Sequence, residues 1–186
     1  MKECMSQYRR MKSQGGTYFF TVATHRRLPM LTGENVRQAL REGILRARQT
    51  LPFSIEAWVL LPDHLHTIWT LPAGDANFSA RWAIIKRHVS KMWGLMGKDP
   101  GLPNASRVQR KESTFWQRRF WEHYIRDDED FHRHFDYIHW NPVKHGYVLK
   151  VSDWPYSTFH RFVAQGIYPE YWGGISEGES KCHYGE

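Results

Sequence analysis

The chain has 186 residues, enough for one compact domain with a proper core, and its 26 Lys and Arg against 19 Asp and Glu leave a net charge of +7. That excess points to a polyanionic partner, nucleic acid first. Cys4 and Cys182 lie at opposite ends, which argues against a disulfide scaffold or zinc knuckle; no apolar run approaches the roughly 18 residues of a membrane span, and the N-terminus lacks a secretory apolar stretch, so the expected location is the cytoplasm.

Residues 1–16 are polar, end in Gly15-Gly16 and read as a basic arm with Arg9, Arg10 and Lys12. Residues 17–24 are β-branched and aromatic, a first strand. Residues 34–48 carry Val36, Leu40, Ile44 and Ala47 at helical spacing, with Thr32 as the expected cap. Residues 53–61 and 64–71 are two strands parted only by Pro62-Asp63, hence antiparallel neighbours. A second helix is expected from a Ser79 cap to about residue 95, with Trp82, Ile85, Val89 and Trp93 as its buried stripe. Residues 98–111 read as a loop and residues 120–125 as a fourth strand. Residues 127–140 form a helix whose acidic first turn suits the positive end of its dipole, and Pro142 is expected to end or bend it at Asn141. The order β-α-β-β-α-β-α matches an α+β, ferredoxin- or RRM-like split β-α-β plan: an antiparallel sheet with helices on one face.

Within the third strand, His64 and His66 point to one face while Leu65 points to the other. Two imidazoles so placed are half of a metal site or, more commonly, two surface or hydrogen-bonded residues. Downstream, Tyr137 and Asn141 lie four apart and share a helix face. The Asn carbonyl completes a His-His-amide set while the Tyr hydroxyl stands beside it. The plainer alternatives are a core aromatic and a helix C-cap ahead of Pro142. By ligand type alone, Zn²⁺ is admitted as well. Tyr124 is a rival nucleophile without a metal-compatible partner one turn away. His123, His132, His134, His139 and His145 are read as surface or hydrogen-bonding residues rather than a second metal site. Arg81, Lys86, Arg87 and Lys91 on the second helix, with Arg118 and Arg119 before the fourth strand, are candidate phosphate contacts or a solvated polar face.

Four blocks carry a more specific signal: Ala57-Trp58-Val59-Leu60-Leu61-Pro62-Asp63-His64-Leu65-His66, Trp116-Gln117-Arg118-Arg119-Phe120-Trp121-Glu122-His123, Asp136-Tyr137-Ile138-His139-Trp140-Asn141-Pro142-Val143-Lys144-His145-Gly146, and Asp153-Trp154-Pro155-Tyr156-Ser157-Thr158-Phe159-His160. In that order, within a match from Tyr8 to about Gly173, the chain resembles the REP-associated tyrosine transposases, relatives of the IS200/IS605 single-tyrosine transposases in the HUH endonuclease class. The resemblance implies that His64 and His66 are the HUH pair, Asn141 the third ligand of a Mg²⁺ or Mn²⁺ ion, and Tyr137 the nucleophile. It implies cleavage and rejoining of single-stranded DNA at REP palindromic hairpins through a 5′-phosphotyrosine; the sequence leaves both a monomer and a dimer open. The domain expected to do this spans residues 17–146, followed by an extension and tail over 147–186. The polar tail from Ile175 is expected either to be disordered or to lie over the basic cleft. The rival function is hairpin binding without physiological cleavage. An RRM-like RNA binder is a third reading, which requires exposed aromatics where this sheet carries two histidines.

Overall fold

The structure is a computed structural model and describes residues 15–96 and 114–173; the basic arm with Arg9, Arg10 and Lys12, the 98–111 loop and the tail from Ile175 lie outside the described residues. The elements are β1 (Thr17–Ala23), α1 (Glu34–Thr50), β2 (Ser54–Leu60), β3 (His64–Thr70), α2 (Phe78–Leu95), β4 (Trp121–Tyr124), α3 (Asp128–Lys144) and α4 (Phe159–Ala164). All strand pairings are antiparallel and the sheet order is β2-β3-β1-β4. Among the described residues the expected β-α-β-β-α-β-α order is observed, with α4 following it. No described helix is long and apolar enough to cross a membrane.

Alternation along the strands divides the core in two. Tyr18, Phe20, Val22, Leu65 and Trp69 face α1 and α2, where Val36, Leu40, Ala47, Trp82, Ile85 and Val89 meet them. Phe19, Ala57, Val59 and Ile68 face the other way, toward Phe135 and Ile138 of α3 and Phe159 and Phe162 of α4. Helices therefore cover both faces rather than the expected one. The extension explains the difference: Val151, Phe159, Phe162 and Tyr168 supply apolar surface that completes the second core. It is also tied to the β2 edge, where Leu60 N donates to Tyr156 O at 2.8 Å and Trp58 N to Thr158 Oγ1 at 2.9 Å. With layers on both sides, β3 is buried from His64 through Trp69, and the β2–β3 part of the face on which an RRM would stack bases lies under α3.

Several boundaries depart from expectation. Gly33, not Thr32, caps α1, without a side-chain bond. Asn77, not Ser79, caps α2, its Oδ1 accepting from Ala80 N at 3.1 Å; starting the helix there buries Phe78. Trp93 is only half-buried. Asp127 caps α3, accepting from Asp130 N at 2.8 Å. That helix continues past Pro142 to Lys144, because a proline so near the end removes only one ladder bond, and the last turn closes through His145 N to Asn141 O at 3.0 Å.

The connection before β3 is pinned from two sides. Thr24 N donates to Asp63 O and Leu31 N to Pro62 O, each at 2.8 Å. His64 thus enters the sheet from a fixed turn. Gly15 has φ +66°, and a Cβ there would lie 2.7 Å from Ala73 Cα, so only glycine allows this close approach.

Candidate active site

His64 and His66 project from β3 toward α3 and are 3% and 4% exposed, so the surface-residue alternative fails. Their rings are 4.9 Å apart and nearly perpendicular. Each is held through Nδ1: His64 by Asp63 Oδ1 at 2.7 Å, His66 by Thr21 Oγ1 at 2.8 Å. With Nδ1–H donating to the Asp63 carboxylate, the His64 lone pair is on Nε2. His66 Nε2 is buried and has no hydrogen-bond partner. Burial pushes the His66 pKa well below its usual value. Burial also lowers that of His64, against the raising effect of Asp63. Neutral imidazoles are the form that binds metal. Arg27 Nη1 lies 3.3 Å from Asp63 and ties the turn to the segment after β1.

Across from them, Tyr137, Asn141 and His145 recur every fourth residue along one face of α3 and its cap. The Tyr137 ring is 5.2 Å from that of His66, and the His145 ring is 5.2 Å from that of His64. Asn141, one turn from each, lies between these two contacts. It is fully buried, and neither its Oδ1 nor its Nδ2 has a partner. Leaving such an amide unsatisfied costs about 1–3 kcal/mol. An orphaned imidazole nitrogen on β3 and an orphaned amide oxygen on the helix facing it are donor types that suit a divalent ion. These residues fit a metal. Lys144 Nζ sits 5.0 Å from the Tyr137 ring centroid.

The rival tyrosine is elsewhere. Tyr124 packs 5.4 Å from Tyr18 against the α1–α2 core, on the opposite sheet face from the histidines. Among the candidate cations, Arg87, Arg118 and Arg119 are exposed. Lys86 donates to Gln117 O at 2.7 Å. Arg81, expected as a phosphate contact, is fully buried: it donates to the carbonyls of Leu51, Pro52 and Asn77 and pairs with Asp75 at 2.6 Å. A side chain so enclosed holds the loop before β2 and cannot reach DNA.

Sequence reasoning missed three features. Asp63 and Thr21 orient the histidines, and His145 joins them. The third feature is a second polar group, in which His123, Asp130 and His134 bring ligand atoms within 4.8 Å of one another, a set compatible with a divalent metal. Asp130 is already heavily engaged, with His123 Nε2 at 2.8 Å and Arg126 N and Nε at 3.1 and 3.3 Å on one carboxylate oxygen. Burial alone would raise its pKa; these hydrogen bonds outweigh it and hold the carboxyl at about 2.

No protein-family profile matches the chain. The REP-associated tyrosine transposase of Escherichia coli strain K12 is 48% identical over 171 residues, covering 91% of this chain and 92% of that protein. A candidate member of the same kind from Haemophilus influenzae is 44% identical over 170 residues, covering 91% of this chain and 94% of the relative. Among solved structures, a REP-associated tyrosine transposase bound to a REP hairpin superposes with a TM-score of 0.75 at 46% identity, covering 96% of this chain and all of that one. With this identity spanning nearly the whole length of both relatives, and an α+β sheet architecture in common, the chain belongs to the REP-associated tyrosine transposases.

Proposed function

We propose that this transposase nicks and rejoins single-stranded DNA at REP-type hairpins, with Tyr137 as nucleophile and a Mg²⁺ or Mn²⁺ ion held by His64, His66 and Asn141. The observation that carries the reading is the buried, unpartnered Asn141 amide, set on α3 between a tyrosine against one histidine and the helix cap against the other. The ion supplies Lewis-acid polarisation of the scissile phosphate. Tyr137 Oη attacks phosphorus and loses its proton, the phosphorus–O3′ bond breaks, and the departing 3′ oxygen takes up a proton. The products are a 5′-phosphotyrosine and a free 3′-OH. Attack by a 3′-OH on the phosphotyrosine reverses the step and regenerates the tyrosine. Lys144 places positive charge beside the ring where negative charge develops. Arg87, Arg118 and Arg119 are exposed on the described surface and are suited to phosphate contacts.

The test is a nicking assay on a REP-type hairpin with an unpaired flank, read on a denaturing gel with Mn²⁺ and with EDTA. Wild-type protein is expected to cut only with the metal, and Tyr137→Phe to bind without cutting. Binding by the wild type with no cleavage under any divalent ion would favour the rival, a hairpin-binding protein.

A further inference from the structure

From Tyr137 and Lys144 the sheet face opens into a groove of about 500 Å³ whose far side, at Trp121, Arg126 and Arg133, the chemistry above does not use. Its floor is set by strand register. Thr21 of β1 pairs with His66 on one side and with Trp121 of β4 on the other, so Trp121 lies two strand spacings, about 10 Å, from the histidine pair on the same face. Trp121 is 50% exposed, an unusual amount for an indole. Its ring is backed edge-on by Phe19 at 5.6 Å. It also begins a row of parallel rings: His123 at 5.8 Å and 6°, then His134 a further 4.5 Å away at 18°. Asp130 holds both imidazoles of that row, His123 Nε2 through its carboxylate at 2.8 Å and His134 Nδ1 through its main-chain carbonyl at 2.8 Å. The two rings behind Trp121 are therefore positioned before anything binds, which lowers the ordering cost of stacking on the indole.

Three cations share the lining. Arg126 and Arg133 keep 65% and 53% of their side chains exposed, and Lys144 closes the end next to Tyr137. Asp130 is the acid in this lining, and its carboxylate is 2% exposed and already engaged by His123 and Arg126. A flat, exposed aromatic face with surrounding cations is what a nucleotide of a single strand needs: a stacking surface for the base and positive charge for its phosphates.

We propose that this groove holds one unpaired nucleotide of the DNA strand next to the cleaved phosphate, its base stacked on Trp121 and its phosphates on Arg126, Arg133 and Lys144. The assignment rests on the hairpin-flank reading above and specifies where the flank lies. It competes with a metal at His123, Asp130 and His134, which would have to replace the hydrogen bond between His123 Nε2 and the Asp130 carboxylate.

The experiment titrates the full chain with a REP-type hairpin carrying a few unpaired flanking nucleotides, the same hairpin without them, and a short unstructured single strand with 2-aminopurine stepped through its positions. Trp121→Ala is expected to weaken binding of the flanked hairpin about tenfold and leave the blunt hairpin unchanged. Stacking quenches 2-aminopurine; Trp121→Ala is expected to lose the quench and Trp121→Tyr to recover most of it. Arg133→Ala, which spares the platform, is expected to flatten the salt dependence on the single strand. Equal losses on flanked and blunt hairpins, or an unchanged quench, would overturn the proposal. So would Zn²⁺ binding that is lost in His123→Ala while DNA binding ignores Trp121. Failure of the broader reading looks different: no nicking of any hairpin, with the Trp121-dependent quench on the single strand intact.

Discussion

Asn141→Leu separates the cost of the active site from its use. The two side chains share a branched skeleton of four heavy atoms, so leucine replaces the amide without a large change of shape. In the native chain, both amide atoms are fully buried and unpartnered. Each unsatisfied polar group costs about 1–3 kcal/mol, and leucine is also the better helix former. The metal-free variant is therefore expected to be about 2 kcal/mol more stable than the wild type, a rise of roughly 4–8 °C in Tm for a domain of this size. Adding Mn²⁺ reverses the comparison, because a ligand that binds only the folded state stabilises it in proportion to occupancy. Differential scanning calorimetry in EDTA and in Mn²⁺ reads both effects on the same samples. Wild-type protein is expected to gain stability with Mn²⁺ and the variant to gain little. A variant that melts lower than the wild type in EDTA, yet keeps the full Mn²⁺ response, would refute the reasoning. It would mean that Asn141 is an ordinary structural amide.

Asp63→Asn keeps the turn but removes the charge that orients His64, and Mn²⁺ affinity by titration calorimetry should fall about tenfold to a hundredfold; unchanged affinity would show that Asp63 serves only the turn. Asp130→Asn should cost about 2 kcal/mol at neutral pH, because a carboxyl held at about 2 and at 3.8 when unfolded adds stability above 3.8 that fades as pH falls through 2. Urea midpoints of the two proteins should accordingly converge between pH 5 and pH 2, and a constant gap would count against the network. Charge reversal at Arg118 and Arg119 should weaken hairpin binding and reduce the salt slope by about 0.7–0.9 for each phosphate no longer neutralised, whereas an unaltered slope would place them outside the interface.

What could be read from the residues was whatever short periods report. Alternation in β3 put His64 and His66 on one face, and a spacing of four put Tyr137 with Asn141. Features set by distant pairing were not readable. Thr21 reaches His66 only because β1 lies beside β3, and Trp121 joins the same face only because β4 pairs with the other edge of β1. Asp63 looked like a turn residue because it is one; its second role depends on where the His64 ring comes to rest. His145 was hidden behind a rule about proline that holds in helix interiors and weakens in a last turn. Arg81 illustrates the limit of charge patterns, since three backbone carbonyls and Asp75 enclose a guanidinium that its sequence neighbours suggest is solvated.

The most direct measurement traps the covalent product. A hairpin with an unpaired flank is incubated with the full chain and Mn²⁺, the complex is denatured and digested, and the DNA-linked peptide is located by mass spectrometry. The expected adduct is a 5′-phosphate on Tyr137, absent with EDTA and in Tyr137→Phe, and undiminished in Tyr124→Phe. An adduct on another residue, or cleavage that persists in Tyr137→Phe, would contradict the central claim that the tyrosine set against His66 is the nucleophile.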